Sequence, residues 1–205
     1  MSSCSGIKPH DDNNTGLGYL GQEATQWRDS INKNYTRADK KETIILFGGM
    51  TILQDKLVMS ALQSLGENYV ALPNPDFESF RKGKAFGNRG QCNPTYFTVG
   101  NLVKYLLNLQ KETGMSSEEI VQKYLYVTSG GCGPCRFGMY ITEYRKSLKD
   151  AGFEGFRIMS FEHNKGIFQA ENDEESMNFS PTFFITLIKS VLIGDIINLL
   201  TYKIR

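Results

Sequence analysis

After a long polar start, two hydrophobic periods alternate along this chain. The run ETIILFGG (42–49) is short, apolar, rich in isoleucine and closed by a Gly-Gly pair, which predicts a buried strand. In TILQDKLVMSALQSL (51–65) the apolar side chains fall at 53, 57, 58, 61, 62 and 65, the spacing of one helix face, and Gly66 stands where a helix stops. NYVAL (68–72) is a second strand, ended by Pro73 and Pro75. Residues 42–72 therefore predict a strand–helix–strand unit whose two strands run parallel, joined by a right-handed crossover.

Residues 76–91, DFESFRKGKAFGNRGQ, read as a polar connection. TYFTVGNLVKYLLNLQKETG (95–114) returns to the helical period, with Val99, Leu102, Val103, Leu106 and Leu107 on one side and Gly114 at its end. Ser116 with Glu119 three positions on predicts a capped helix start over 116–125, running into a third strand, YLYVTS (124–129). A helix over 136–152, a fourth strand at FRIMSF (156–161), a loop at 163–176 and a last helical stretch complete the pattern. The stretch FFITLIKSVLIGDIINLL (183–200) is broken by Lys189 and Asp195, which predicts a buried helix and not a membrane span. The chain reads as stopping mid-architecture at TYKIR, the end of an incomplete domain. Strands alternating with helices predict the α/β class with a parallel sheet.

Residues 1–41 are polar, rich in Asn, Asp, Ser and Gly and without a sustained period. They read as a flexible arm or linker ahead of a domain over 42–205, with Trp27 available to dock it. The 23 basic and 22 acidic side chains almost cancel, and no basic stripe points to nucleic acid. MSSCSGIKPHDD has no apolar segment of the signal-peptide kind. The expected location is cytoplasmic, with no nucleic-acid or membrane partner. Thiols stay reduced there, so Cys4, Cys92, Cys132 and Cys135 read as ligands or redox groups and not as structural disulfides.

The richest chemistry lies in TSGGCGPCRFGMY (128–140), where a strand meets its helix. Backbone N–H groups at a helix start favour negative charge, and a thiolate there is both a better metal ligand and a better nucleophile. Gly130, Gly131 and Gly133 permit close approach by a bulky group, and Pro134 suits a first helical turn. Cys92 repeats the arrangement, with Gly90 before it, Pro94 after it and then a helix. Three thiolates from two such junctions can hold three corners of a 4Fe–4S cube, leaving one iron for a non-cysteine ligand. Zinc usually takes four N or S ligands, and neither His10 nor His163 stands at ligand spacing from a cysteine, which favours surface histidines. A buried, inert thiol is the plain alternative for Cys92. Cys4 has no assigned role.

Cys132-Gly-Pro-Cys135 is also letter for letter the active-site motif of thioredoxins, and SPTF (180–183) is similar to their Pro-Thr segment. Gly131 stands where those proteins carry an aromatic residue, the stretch after Pro181 reads as helix, and Cys92 has no task in that fold. A thioredoxin-like thiol-disulfide oxidoreductase is the second reading. A non-catalytic zinc-binding or assembly module is the third.

Together, GNRGQCNPTYFTVGNLVKYL (87–106) and TSGGCGPCRFGMYITEYRKSL (128–148) resemble the 2-hydroxyacyl-CoA dehydratase superfamily. The likeness is greatest to the dehydratase-like module of the large CoA-substrate-specific enzyme activases. Cys92, Pro94, Gly100, Tyr105 and Leu106 match its first block, and Cys132, Pro134, Cys135, Arg136, Phe137, Gly138 and Tyr140 its second. IGDIINLLTYKIR (193–205) is also similar to a helix of that family. The resemblance implies a Rossmann-like open parallel sheet with helices on both faces, holding an iron–sulfur cluster, of the 4Fe–4S type, on Cys92, Cys132 and Cys135. It implies an ATP-hydrolysing activator of the sugar kinase/Hsp70/actin fold as electron donor and an acyl-CoA as acceptor, within a homo- or hetero-oligomer. Arg136 and the N–H groups around Gly130, Gly131 and Gly133 would stabilise negative charge on cluster or thioester, although a solvated helix cation is an even alternative for Arg136. LFGG and GLGYLG are too short for the nucleotide core of that ATPase fold, which places ATP on a partner chain or on a missing part. Catalysis and electron relay both stay open.

Overall fold

The computed structural model describes residues 42–66, 68–129, 140–161 and 181–204. The arm with Cys4, His10 and Trp27, the segment carrying Gly130, Gly131, Cys132, Gly133, Cys135 and Arg136, and the loop with His163 lie outside the described residues.

Four strands, β1 (Ile44–Phe47), β2 (Tyr69–Ala71), β3 (Tyr124–Ser129) and β4 (Arg157–Phe161), form one sheet in the order β2-β1-β3-β4, and every pairing is parallel. Among the described residues six helices join or follow them: α1 (Ile52–Ser64), α2 (Phe77–Phe86), α3 (Asn93–Thr113), α4 (Ser117–Lys123), α5 (Tyr140–Asp150) and α6 (Pro181–Ile204). The α/β class and the parallel sheet are as the sequence predicts.

The pleat sorts the core into two layers. Ile45, Phe47, Leu125 and Val127 point to one face, where Val58 and Leu62 of α1 and Phe183 of α6 cover them. Leu46, Tyr124 and Tyr126 point to the other, under Val99, Leu102, Val103 and Leu106 of α3, Ile120 of α4, and Tyr144 and Leu148 of α5. Each fully buried aliphatic side chain contributes about 1.5–3 kcal/mol. The crossover from β1 to β2 runs through α1 on the first face. The route to β3 comes back past β1 through α3 on the second. The progression of strands therefore reverses between β1 and β3, and at such a point a crevice opens beyond the carboxyl ends.

Two expectations fail. The polar connection at 76–91 contains α2, a three-turn helix. Asp76 caps it: the carboxylate accepts the Ser79 N–H at 2.8 Å, while Ser79 Oγ accepts in turn from the Asp76 N–H. Phe80 packs on Tyr96 and Phe97 of α3, and at the closest approach of the two helices the contact is made by glycine. A Cβ built on Gly100 would lie 2.9 Å from the Cα of Gly83, and one built on Gly83 would lie 2.7 Å from the Cα of Tyr96. At that crossing no side chain separates the two backbones.

The second failure is α6. Its sequence reads as a buried helix, yet of its residues only Phe183, Ser190 and Gly194 are buried. Gly194 lies against Gln54 of α1, and two hydrogen bonds seat the helix there: Gln54 Nε2 donates to Asp195 Oδ1 at 2.7 Å, and Asn198 Nδ2 donates to Thr51 Oγ1 at 2.8 Å. The interrupting polar residue Asp195 is thus a docking contact between helices. Ile185, Ile188, Leu192, Ile196 and Leu199 are all about half exposed or more. At 24 residues the helix is long and apolar enough to cross a membrane, by length and composition alone.

Candidate functional site

Of the three cysteines proposed as ligands, Cys92 is described. It is the N-cap of α3, a 21-residue helix with proline in its first turn. A side-chain oxygen would usually cap such an end; here a sulfur stands in that place without a capping bond to the helix N–H groups. The thiol is exposed. Its Sγ lies 3.0 Å from Thr95 Oγ1 and 3.3 Å from Tyr140 Oη. These hydroxyls, Thr95 first and Tyr140 second, favour the thiolate and bring its pKa down to about 7. The α3 dipole acts in the same direction.

Tyr140 is the first residue of α5, and that gives the contact its meaning. The segment leading into α5 carries Cys132 and Cys135, outside the described residues. Cys135 precedes Tyr140 by five positions, and a fully extended chain of that length reaches at most about 18 Å. The fold thus brings the Cys92 sulfur against the very turn to which the Cys-Gly-Pro-Cys stretch is tethered.

The loop that presents Cys92, residues 87–92, is held by side chains from two helices. Tyr96 Oη of α3 donates to Asn88 O at 2.9 Å and accepts the Gln91 N–H at 3.1 Å. From α5, Glu143 accepts from Asn88 N–H with one oxygen and from Asn88 Nδ2 at 2.8 Å with the other. Lys146 Nζ donates to Phe86 O at 2.9 Å. Lys84 stacks over the Tyr96 ring at 4.3 Å. Nothing in the local sequence marks Tyr96, Glu143 or Lys146 as site residues. All three sit at ordinary helix positions; Tyr96 works from α3, and the approach of α5 to the loop gives Glu143 and Lys146 their contacts.

A second polar group lies at the carboxyl edge of β1. Asp55 of α1 is buried, and its Oδ1 has no hydrogen-bond partner among the described residues. Burial pushes its carboxyl up, against the Met50 and Gly49 N–H groups that favour the anion. On the other face the buried hydroxyls of Tyr126 and Tyr144 pair at 3.2 Å, and burial raises the pKa of both.

Among the described residues no three His, Cys, Asp or Glu side chains gather as metal ligands. An exposed thiol poised toward thiolate is nonetheless the donor that iron or zinc takes. Comparison with known proteins yields nothing further: no family model, no curated protein and no solved structure matches the chain.

A test of the thiol follows directly. In metal-free protein the Thr95→Val and Tyr140→Phe variants should each move the Cys92 pKa upward from about 7, toward the ordinary thiol value of about 8.5. The sign is that of an acid whose anion loses a stabilising donor. Near pH 7 the alkylation rate of Cys92 should fall several-fold in each variant, and the rate should recover as pH rises. Peptide-resolved mass spectrometry of alkylation against pH reads this out. An unchanged profile in both would show that the hydroxyls do not act on the sulfur.

Proposed function

We propose that residues 42–205 form a Rossmann-like iron–sulfur electron-transfer module related to the 2-hydroxyacyl-CoA dehydratases and their activases, holding a 4Fe–4S-type cluster on Cys92, Cys132 and Cys135. One observation carries the reading: the Cys92 sulfur stands 3.3 Å from Tyr140 Oη, at the head of the helix that the Cys132–Cys135 stretch enters. The matched positions supply further support. Gly100, part of the first block, is where α3 meets α2 backbone to backbone, and Tyr140, the last position of the second, reaches Cys92. A thioredoxin-like dithiol leaves Cys92 without a task, and the helix opening at Pro181 departs from the strand hairpin of that fold.

When bound, the cluster supplies a one-electron carrier. This chain's own groups do the rest. Thr95 and Tyr140 stabilise the sulfur anion, and Tyr96, Glu143 and Lys146 hold the loop that presents it. The electron donor in this reading is a cytoplasmic ATP-hydrolysing activator on another chain, and the acceptor class is an acyl-CoA thioester.

The test is iron and acid-labile sulfide analysis with visible absorption and EPR on the full chain purified without oxygen. About four irons and four sulfides per cluster, with absorption near 400 nm that bleaches on reduction, is the expected result. Colourless, metal-free protein that resists reconstitution and shows a reversible Cys132–Cys135 disulfide would overturn it in favour of the oxidoreductase. Stoichiometric zinc would make the site structural.

A further inference from the structure

Glu143 is only 5% exposed, and carboxylates are rarely so buried unless their oxygens find donors. Its donors are unusual in their origin. Asn88 N–H, Asn88 Nδ2 and, at 3.5 Å, Gln91 Nε2 all belong to the loop between α2 and α3, more than fifty positions away in sequence. The same face of α5 adds Lys146, bonded to Phe86 O at the loop's other end, and Tyr140, in contact with the Cys92 sulfur. Residues 140, 143 and 146 follow one another at helical steps of three, so one side of α5 grips the loop along its whole length.

The loop has little else to define it. It contains no regular structure, and Gly90 takes a left-handed φ of 80° with open space around it. Gly87 lies so close that an added Cβ would come 3.0 Å from Glu143 Oε1. Tyr96 pins two backbone groups from the α3 side, which fixes the loop to the helix that follows it but not to α5. Between the end contacts of Lys146 and Tyr140, Glu143 links the middle of the loop to α5.

We propose that Glu143 is a positioning residue: by clamping Asn88 and Gln91 to α5 it sets the Cys92 sulfur beside the Tyr140 hydroxyl. The importance of that placement rests on the reading of Cys92 as a cluster ligand. The placement itself is a property of the metal-free chain and is tested there.

The experiment is a double-variant cycle on metal-free full-length protein, reading the alkylation rate of Cys92 at pH 7 by peptide mass spectrometry. In the natural chain Tyr140→Phe should slow the reaction several-fold. In a Glu143→Ala background the same change should have little effect, within about 1.5-fold, because the sulfur no longer stands by the hydroxyl. Glu143→Gln, whose amide oxygen still accepts the Asn88 N–H, should restore most of the several-fold difference. A purely structural role would lower stability in both Glu143 variants without removing the Tyr140 effect from the alanine variant alone. Should Glu143→Ala fail to fold by circular dichroism, Asn88→Asp sets a carboxylate against Glu143 from the exposed side and should uncouple the pair in the same way. An equal Tyr140→Phe effect in both backgrounds, or none in the natural chain, overturns the proposal. Protein that shows the coupling yet holds no iron sinks the cluster reading alone.

Discussion

Replacing Gly100 with alanine should cost the protein about 3 kcal/mol or more and lower its Tm by about 10 °C. The new methyl group would fall inside van der Waals contact of the Ser79 carbonyl oxygen and 2.9 Å from Gly83 Cα, and both neighbours are helix backbone. Neither can rotate away, so α2 must lift from α3. Domains of this size hold about 5–15 kcal/mol in reserve, so the loss is a large share of it. Displacing α2 would also drag on Phe86 and the loop behind it, loosening Cys92. Gly90→Ala is the control. It has φ of 80° but nothing within 4 Å, so it should cost about 1 kcal/mol from backbone strain alone. Thermal and urea denaturation followed by circular dichroism measures both. A Gly100→Ala protein within 2 °C of the natural chain would mean that the two helices do not cross where described.

The second large effect concerns iron. On the proposed cluster reading, Cys92→Ser after anaerobic reconstitution should retain less than about a quarter of the iron that the natural chain takes up and lose the EPR signal of a reduced cluster. The serine oxygen is a harder and more basic donor, and a cluster left with two thiolates has lost a corner. The fold should survive, because Cys92 is exposed and makes no capping bond to α3. In the same variant a Cys132/Cys135 dithiol would titrate as before. Retention of iron by Cys92→Ser, with loss from Cys132→Ser, would move the third ligand elsewhere and leave the Tyr140 contact without a role in metal binding.

Much of the architecture can be read in the chain itself. β1, α1 and β2 follow from an apolar run, one helical stripe and a stop at Gly66, and the Ser116–Glu119 cap is present as a reciprocal pair. α3 also follows its stripe, with Gly114 in the left-handed conformation at its end. α2 escapes such a reading because only Ser79 and Gly83 of it are buried, and neither is a hydrophobic marker. Gly83 and Gly100 make a contact through what they lack. α6 misleads for the opposite reason: its apolar content overstates how much of it is covered. As for the site, sulfur chemistry is legible from residue type and junction position, whereas Glu143 and Lys146 act across long sequence separations. No local pattern marks a glutamate whose partners lie in another loop.

The strand order also sets the tempo of folding. Ile45 pairs with Tyr69 through the short α1 crossover, but it pairs with Leu125 only after α2, α3 and α4 have been bridged. Closing the longer loop costs more chain entropy and pays back late, so β1, α1 and β2 can assemble while β3 is still searching. Cys92 and Tyr140 lie on opposite sides of that slow step, one before β3 and one after it. On that contact-order argument the sulfur should meet its hydroxyl late, and a metal centre there would be loaded into a largely formed sheet.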